Sequence, residues 1–316
     1  MIHALRPAFL AVTLIALGGC GPAKSLAADV FYDEVGLDAS LVRADVAYLD
    51  DGLDKHRLDL FLPSPDSVRQ RPWPGVLFVH GGGWVEGDRQ LTFGGEDLYG
   101  NVGRYLAERG IGAAVTSYRL QPGATWREQR SDVAAALAFV QDTVAALGGD
   151  PARVVLMGHS AGAQLAAHVA FDASLRERAG AEPVCGLVSV SGAALDLTDA
   201  ATWEAGARFG YSAERFSPTR EEIAGPPPDP YAWQVEASPT SYVTPEAPPV
   251  RVIYADGEAD YFRTQAEALA RALGAAGVPY ETEVMAAFNH EVGALYLSRA
   301  DRPAGPAAVA LARACP

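Results

Sequence analysis

Gly158-His159-Ser160-Ala161-Gly162 stands between the apolar run Arg153–Met157 and the helical stretch Ser160–Ala170. A short apolar run reads as a buried strand, so this pentapeptide joins a strand to a helix. A G-x-S-x-G sequence in that setting puts its serine on a sharp, strained turn with the hydroxyl presented outward. Glycines two before and two after the serine let the chain turn tightly and let neighbouring backbone pack close. The N–H of Ala161 then lies at a helix N-terminus, where the dipole favours negative charge. Ser160 is therefore read as a nucleophile.

Outward from this turn, apolar runs alternate with helical patterns. Leu41–Leu49 and His56–Leu62 read as strands around a polar turn at 50–54, and Pro63 and Pro65 stop the second. Gly75–His80, Ile111–Ser117 and Val184–Val190 are nearly all apolar, as strands buried on both faces are. Trp126–Ala146 carries helical periodicity up to Gly148-Gly149. Val250–Ala255 and Tyr280–Met285 read as late strands, Thr264–Gly274 and Glu291–Leu297 as late helices. Strands alternating with helices predict an α/β fold with a mostly parallel sheet covered on both faces. Residues 193–237 break the rhythm with Trp203, Phe209, Tyr211, Phe216, Tyr231, Trp233 and the prolines 226–228, which reads as a cap or pocket insertion.

Two further features carry chemistry. His80-Gly81-Gly82-Gly83-Trp84 follows the third strand, and its glycines let backbone amides approach a substrate oxygen without obstruction. The amides of Gly82 and Gly83 with that of Ala161 would make an oxyanion hole. A base must follow. Of six histidines, His3 lies in the leader, and His56 and His80 precede the nucleophile. His159 is its neighbour and His168 lies two turns down the helix. His290, after the last strand, is left as the general base.

HGGGW and GHSAG together resemble the esterase and lipase branch of the α/β hydrolases, the hormone-sensitive-lipase-like and carboxylesterase-like groups. Tyr118-Arg119-Leu120, residues 148–151 and Ser238-Pro239 extend the likeness, which covers roughly residues 41–300. The resemblance implies an eight-stranded sheet and the chain order nucleophile, acid, histidine. In Val252–Asp260 it selects Asp260, three residues after Gly257, as the acid, with Asp256 and Glu258 as nearby alternatives. The sequence departs from the family just after this point, where Tyr261-Phe262-Arg263 replaces the usual Val-Pro type pair. The implied activity is hydrolysis of carboxylic esters of short or medium acyl chain through an acyl-enzyme, with no cofactor or metal. The same motifs occur in arylformamidase-like amidases and acetyl-xylan-esterase-like enzymes. A reading of another class is a non-catalytic, lipid-anchored binding protein on the same scaffold.

The first residues form a separate unit. His3 and Arg6 precede an apolar run from Ala8 to Leu17, followed by Gly18-Gly19-Cys20. Ten apolar residues are too few to cross a bilayer, so residues 1–19 read as a signal peptide. Leu17-Gly-Gly-Cys20 resembles a bacterial lipoprotein box, which implies lipidation of Cys20 and a cell-envelope location; ordinary cleavage near Ala27-Ala28 is the alternative. Residues 20–40 read as a tether and residues 41–316 as the hydrolase domain. The chain has 316 residues, a net charge of −14 and two lysines, Lys24 and Lys55, which excludes nucleic acid as a partner and leaves the lipid as the only membrane link. The remaining cysteines, Cys185 and Cys315, form either a disulfide or two plain thiols. Oligomeric state is not readable from the sequence.

Overall fold

The computed structural model describes residues 32–69, 71–93, 95–199, 206 and 232–316. The leader, Cys20 and most of the expected insertion, 200–205 and 207–231, lie outside them.

Eight strands form one sheet in the order β1-β2-β6-β3-β7-β8-β9-β10. These are β1 Val42–Ala47, β2 Arg57–Phe61, β3 Trp73–Val79, β6 Gly112–Thr116, β7 Gly149–His159, β8 Gly186–Val190, β9 Val250–Ala255 and β10 Tyr280–Met285. The pairs β1/β2 and β2/β6 are antiparallel; from β6 to β10 every pair is parallel. A two-stranded ribbon, β4 Thr92–Phe93 and β5 Glu96–Asp97, precedes the helix α1 Leu98–Ala107. The other helices are α2 Trp126–Ala146, α3 Ala161–Phe171, α4 Ala173–Ala179, α5 Ala232–Ala237, α6 Asp260–Ala276, α7 His290–Leu295 and α8 Ala304–Ala314.

The sheet has this shape because its central strands have an apolar residue on both faces. In β3, Leu77 and Val79 enter one core with Leu156 of β7, Leu137 of α2 and Leu165 of α3. Val76 and Phe78 point the other way, into a second core with Val155, Met157, Leu106 of α1 and Ala308 of α8. This is the period-two alternation of a strand, with both faces covered by helices. Parallel pairing then puts the C-terminal ends of β3, β7, β9 and β10 on one edge. Active sites of open α/β sheets lie outside that edge.

The N-terminal part of the domain differs from the expected tether. Residues 32–37 are held against α1: Val35 N–H donates to Asn101 Oδ1 (2.8 Å) and Asn101 Nδ2 donates to the Asp33 carbonyl (2.8 Å). Tyr32, Val35 and Leu37 pack on the second core. Cys185 and Cys315 are joined as a disulfide, with Cα atoms 5.7 Å apart. No helix among the described residues is long and apolar enough to cross a membrane.

Candidate active site

Ser160 sits between β7 and α3 with φ 55° and ψ −122°, a conformation that costs an L-residue of order 1–3 kcal/mol. Packing enforces it. A β-carbon on Gly158 would lie 2.4 Å from the Gly162 carbonyl oxygen, and one on Gly162 would lie 2.2 Å from that of Val79. Only glycine fits at either position. Ser160 N–H donates to the Val190 carbonyl (3.0 Å) and Ala193 N–H to the Ser160 carbonyl (3.3 Å), so β8 braces the turn. Ala161 is the first residue of α3, and the first amides of a helix have no intrahelical acceptor.

The glycine loop after β3 runs beside this serine. A β-carbon on Gly81 would stand 3.1 Å from the Ser160 β-carbon. Gly82 and Gly83 have φ of 120° and 56°, and the Gly82 carbonyl accepts from Val85 N–H (3.1 Å) and Glu86 N–H (3.0 Å), closing the loop on itself. Its flanks are fixed by Tyr118 and Trp84, which the motifs contain, and by Gln129 and Gln164, which the sequence reading had not singled out. Tyr118 Oη donates to the His80 carbonyl (3.1 Å), and the two rings stack 4.3 Å apart. Gln129 of α2 donates to the carbonyls of Trp84 (2.8 Å) and Arg119 (2.9 Å). Trp84, fully buried, donates to Gln164 Oε1 (3.1 Å), one turn below Ser160. Of this loop it is Gly81 that lies beside Ser160; the predicted oxyanion residues Gly82 and Gly83 follow it directly, and Ala161 follows the serine.

His290 opens α7, as its position after the last strand predicts. Its carboxylate partner is Glu258, not Asp260. His290 Nδ1–H donates to Glu258 Oε2 (3.0 Å), and the glutamate side chain is completely buried. Glu258 Oε1 accepts from Ala255 N–H (2.9 Å), which anchors it to the end of β9. Asp260 is 88% exposed and pairs with Arg263 (3.2 Å). The cause is the start of α6. The helix begins at Asp260 rather than near Thr264, so Asp260 faces solvent in the first turn, where its charge complements the dipole. Asp256 accepts from Ala287 N–H (3.0 Å) and ties the acid loop to the histidine loop. With Nδ1 carrying the proton, Nε2 of His290 is left as a base. Phe262 stacks on the His290 ring (4.0 Å), and so does His159 (4.8 Å).

Three further imidazoles are buried and neutral. Burial holds His80 down to about 4, against the opposing effect of its hydrogen bond to the Gly81 carbonyl. Burial, then the Arg130 charge, holds His168 down to about 3. Burial and the neighbouring His290 push His159 well below the usual imidazole range. The unfolded chain takes up these protons near 6.5, so stability is complete above that pH and is lost as pH falls toward the folded values. The slope is about 1.4 kcal/mol per pH unit per histidine, so His80 alone accounts for about 3 kcal/mol by pH 4. The urea midpoint should therefore drop steadily from pH 6.5 to 4.5; a flat midpoint over that window would contradict the burial of neutral imidazoles.

A family profile described as alpha/beta hydrolase fold matches residues 76–293, which run from the strand before the glycine loop through His290. The chain belongs to the α/β-hydrolase fold family. Among curated relatives, a probable isoprenylcysteine alpha-carbonyl methylesterase of Oryza sativa subsp. japonica is 39% identical over 126 residues, covering 40% of this chain and 28% of the rice protein. A carboxylesterase of Mycobacterium tuberculosis is 39% identical over 99 residues, covering 31% and 28%. The matched stretches thus span 28% of the length of these two relatives. Esterase B from Lactobacillus rhamnosis, solved with a tributyrin phosphonate, superposes with a TM-score of 0.67 at 21% identity over 98% of this chain and 96% of its own. A truncated carbohydrate esterase from gut microbiota gives 0.65 at 19% over 90% and 96%. Ser160, Glu258 and His290 all lie within the matched residues, in the chain order serine, carboxylate, histidine. Among the described residues, no group of three or more His, Cys, Asp or Glu is arranged to hold a metal ion.

Proposed function

We propose that this protein is a serine esterase that cleaves carboxylic esters of short or medium acyl chain. The observation that carries the reading is one arrangement: a serine on a strained elbow, a glycine loop beside it, and a histidine held by a buried carboxylate. Its relatives' names share one chemistry, hydrolysis of an ester, which supports the same class here.

In this mechanism His290 Nε2 takes the Ser160 proton as Oγ attacks the acyl carbon. Glu258 keeps the imidazole in the required tautomer and balances the imidazolium. The amides of Gly82, Gly83 and Ala161 hold the oxyanion, each donor worth about 3–4 kcal/mol. The imidazolium gives its proton to the leaving alkoxide, and water releases the acid by the reverse sequence. The test is hydrolysis of p-nitrophenyl acetate and butyrate, with labelling of Ser160 by a fluorophosphonate. A folded protein that neither turns over esters nor takes the label would refute the nucleophile and favour a binding protein on this scaffold. Labelling without ester turnover would favour an amide or sugar-ester substrate.

The same proposal includes export and a lipid on Cys20. It rests on Leu17-Gly-Gly-Cys20 after a short apolar run, and is supported by the Cys185–Cys315 disulfide, which suits an oxidising compartment. Radiolabelled palmitate should enter the full-length protein in a bacterial host and be lost on Cys20→Ser; equal incorporation in both would refute the anchor.

A further inference from the structure

The segment that departs from the family, Tyr261-Phe262-Arg263, sits against the base. Phe262 is fully buried in the first turn of α6 and lies parallel to the His290 ring, 4.0 Å away and 14° from coplanar. Phe262 N–H donates to the Ala259 carbonyl (3.0 Å), and the Tyr261 hydroxyl accepts from Ala194 N–H (2.7 Å), so this turn is pinned to the loop after β8. His159 also stacks on His290, 24° from parallel, with both ring nitrogens buried and without a hydrogen-bond partner. Two rings stack on the imidazole and Glu258 takes Nδ1. The titratable groups packed against it are Glu258 and His159, while Glu291 beside it on α7 is exposed.

We propose that Phe262 is a positioning residue for His290: it clamps the imidazole with His159 in the plane that meets Glu258, and its π-face stabilises the imidazolium. The inference rests on the serine-esterase reading. During acylation the proton moves from Ser160 Oγ to His290 Nε2 as the Oγ–carbon bond forms, and the ring gains a full positive charge while stacked on Phe262. A benzene face carries negative quadrupole density, and a desolvated cation above it is favoured more than one in water. His159 plays a different part. It stacks on the ring without competing for the proton, since a second charge 4.8 Å from the first would be repelled in a largely buried site. The clamp therefore favours the charged form of one histidine and excludes that of the other.

Fluorinated phenylalanines at position 262 keep the ring's shape while draining its π-face, so they separate electrostatics from packing. The parent, the 4-fluoro and 3,4,5-trifluoro replacements, and Phe262→Leu would be compared on p-nitrophenyl butyrate across pH. Rates would be divided by the sites that a fluorophosphonate titrates. The expected result is a stepwise fall in kcat across the series, reaching about tenfold, with KM nearly constant. The acidic limb of kcat/KM should move to lower pH by roughly one unit over the series. An unchanged kcat and acidic limb across the fluorinated series would overturn the proposal, even if Phe262→Leu is slow, because packing alone would then explain the leucine. A parent without label or turnover would refute the esterase reading itself, a result distinct from a flat series in an active enzyme.

Discussion

Glu258→Gln is expected to lower kcat/KM for p-nitrophenyl butyrate by about 10⁴, while Asp260→Asn leaves it within about twofold. The size of the first effect follows from how the carboxylate is held. One oxygen accepts from Ala255 N–H and the other from His290 Nδ1–H. An amide cannot accept at both ends. Its oxygen will stay on the Ala255 amide, since the reverse orientation sets two donors against each other. Its NH₂ then faces His290 and requires Nδ1 to become an acceptor. The ring proton moves to Nε2, and the base is blocked on the side where Ser160 must give up its proton. The second effect is small because Asp260 is 88% exposed and pairs with Arg263, itself 45% exposed. The opposite ranking of the two variants would return the acid's role to Asp260.

Ser160→Ala is expected to reduce kcat by about 10⁶ and to abolish fluorophosphonate labelling. The β-carbon is retained, so the elbow, with its φ of 55°, is not relieved and the fold should be unaffected. What remains should be the weak activity of a site that still binds the ester and still has amides beside it, about 10³–10⁴ over water. Loss of turnover by only a few-fold would mean that another group attacks the substrate, and Ser160 would have to be read as a structural turn residue.

Much of the fold was legible because burial on both faces leaves a direct trace in composition. Val250–Ala255 begins and ends where the apolar run does, and Trp126–Ala146 where the helical periodicity does. α1 was not readable in the same way. Leu98–Ala107 contains Gly100 and Gly103, which weaken any helical pattern, yet a β-carbon on Gly103 would lie 2.2 Å from the Phe61 ring. The glycine is there for a neighbour some forty residues away, and only the tertiary structure shows it. The serine and the glycine loop were legible because each occupies an irregular turn that local sequence specifies, and the histidine because it follows the last strand. The acid was not. Asp256, Glu258 and Asp260 all lie within five residues, and the choice among them depends on where α6 starts and which carboxylate turns inward. A helix start at Asp260, read from its place at the first position, would have turned that residue outward and left Glu258 as the longer arm. The role of Phe262 depends on a stacking contact that no spacing encodes, although the departure of Tyr261-Phe262-Arg263 from the family marked the place.

The bond between Cys185 and Cys315 determines where the protein can be gripped. Cys185 stands just before β8, at the end of the strands opposite the one that carries Ser160, and it holds the penultimate residue of the chain there. The five residues of β8 put about 16 Å of sheet between the two ends. A dye, a resin or a fused partner attached at Pro316 would ride on the rear of the molecule and leave the mouth of the site open. The same attachment made in a reducing cytoplasm would hang from a helix end that had lost its clasp.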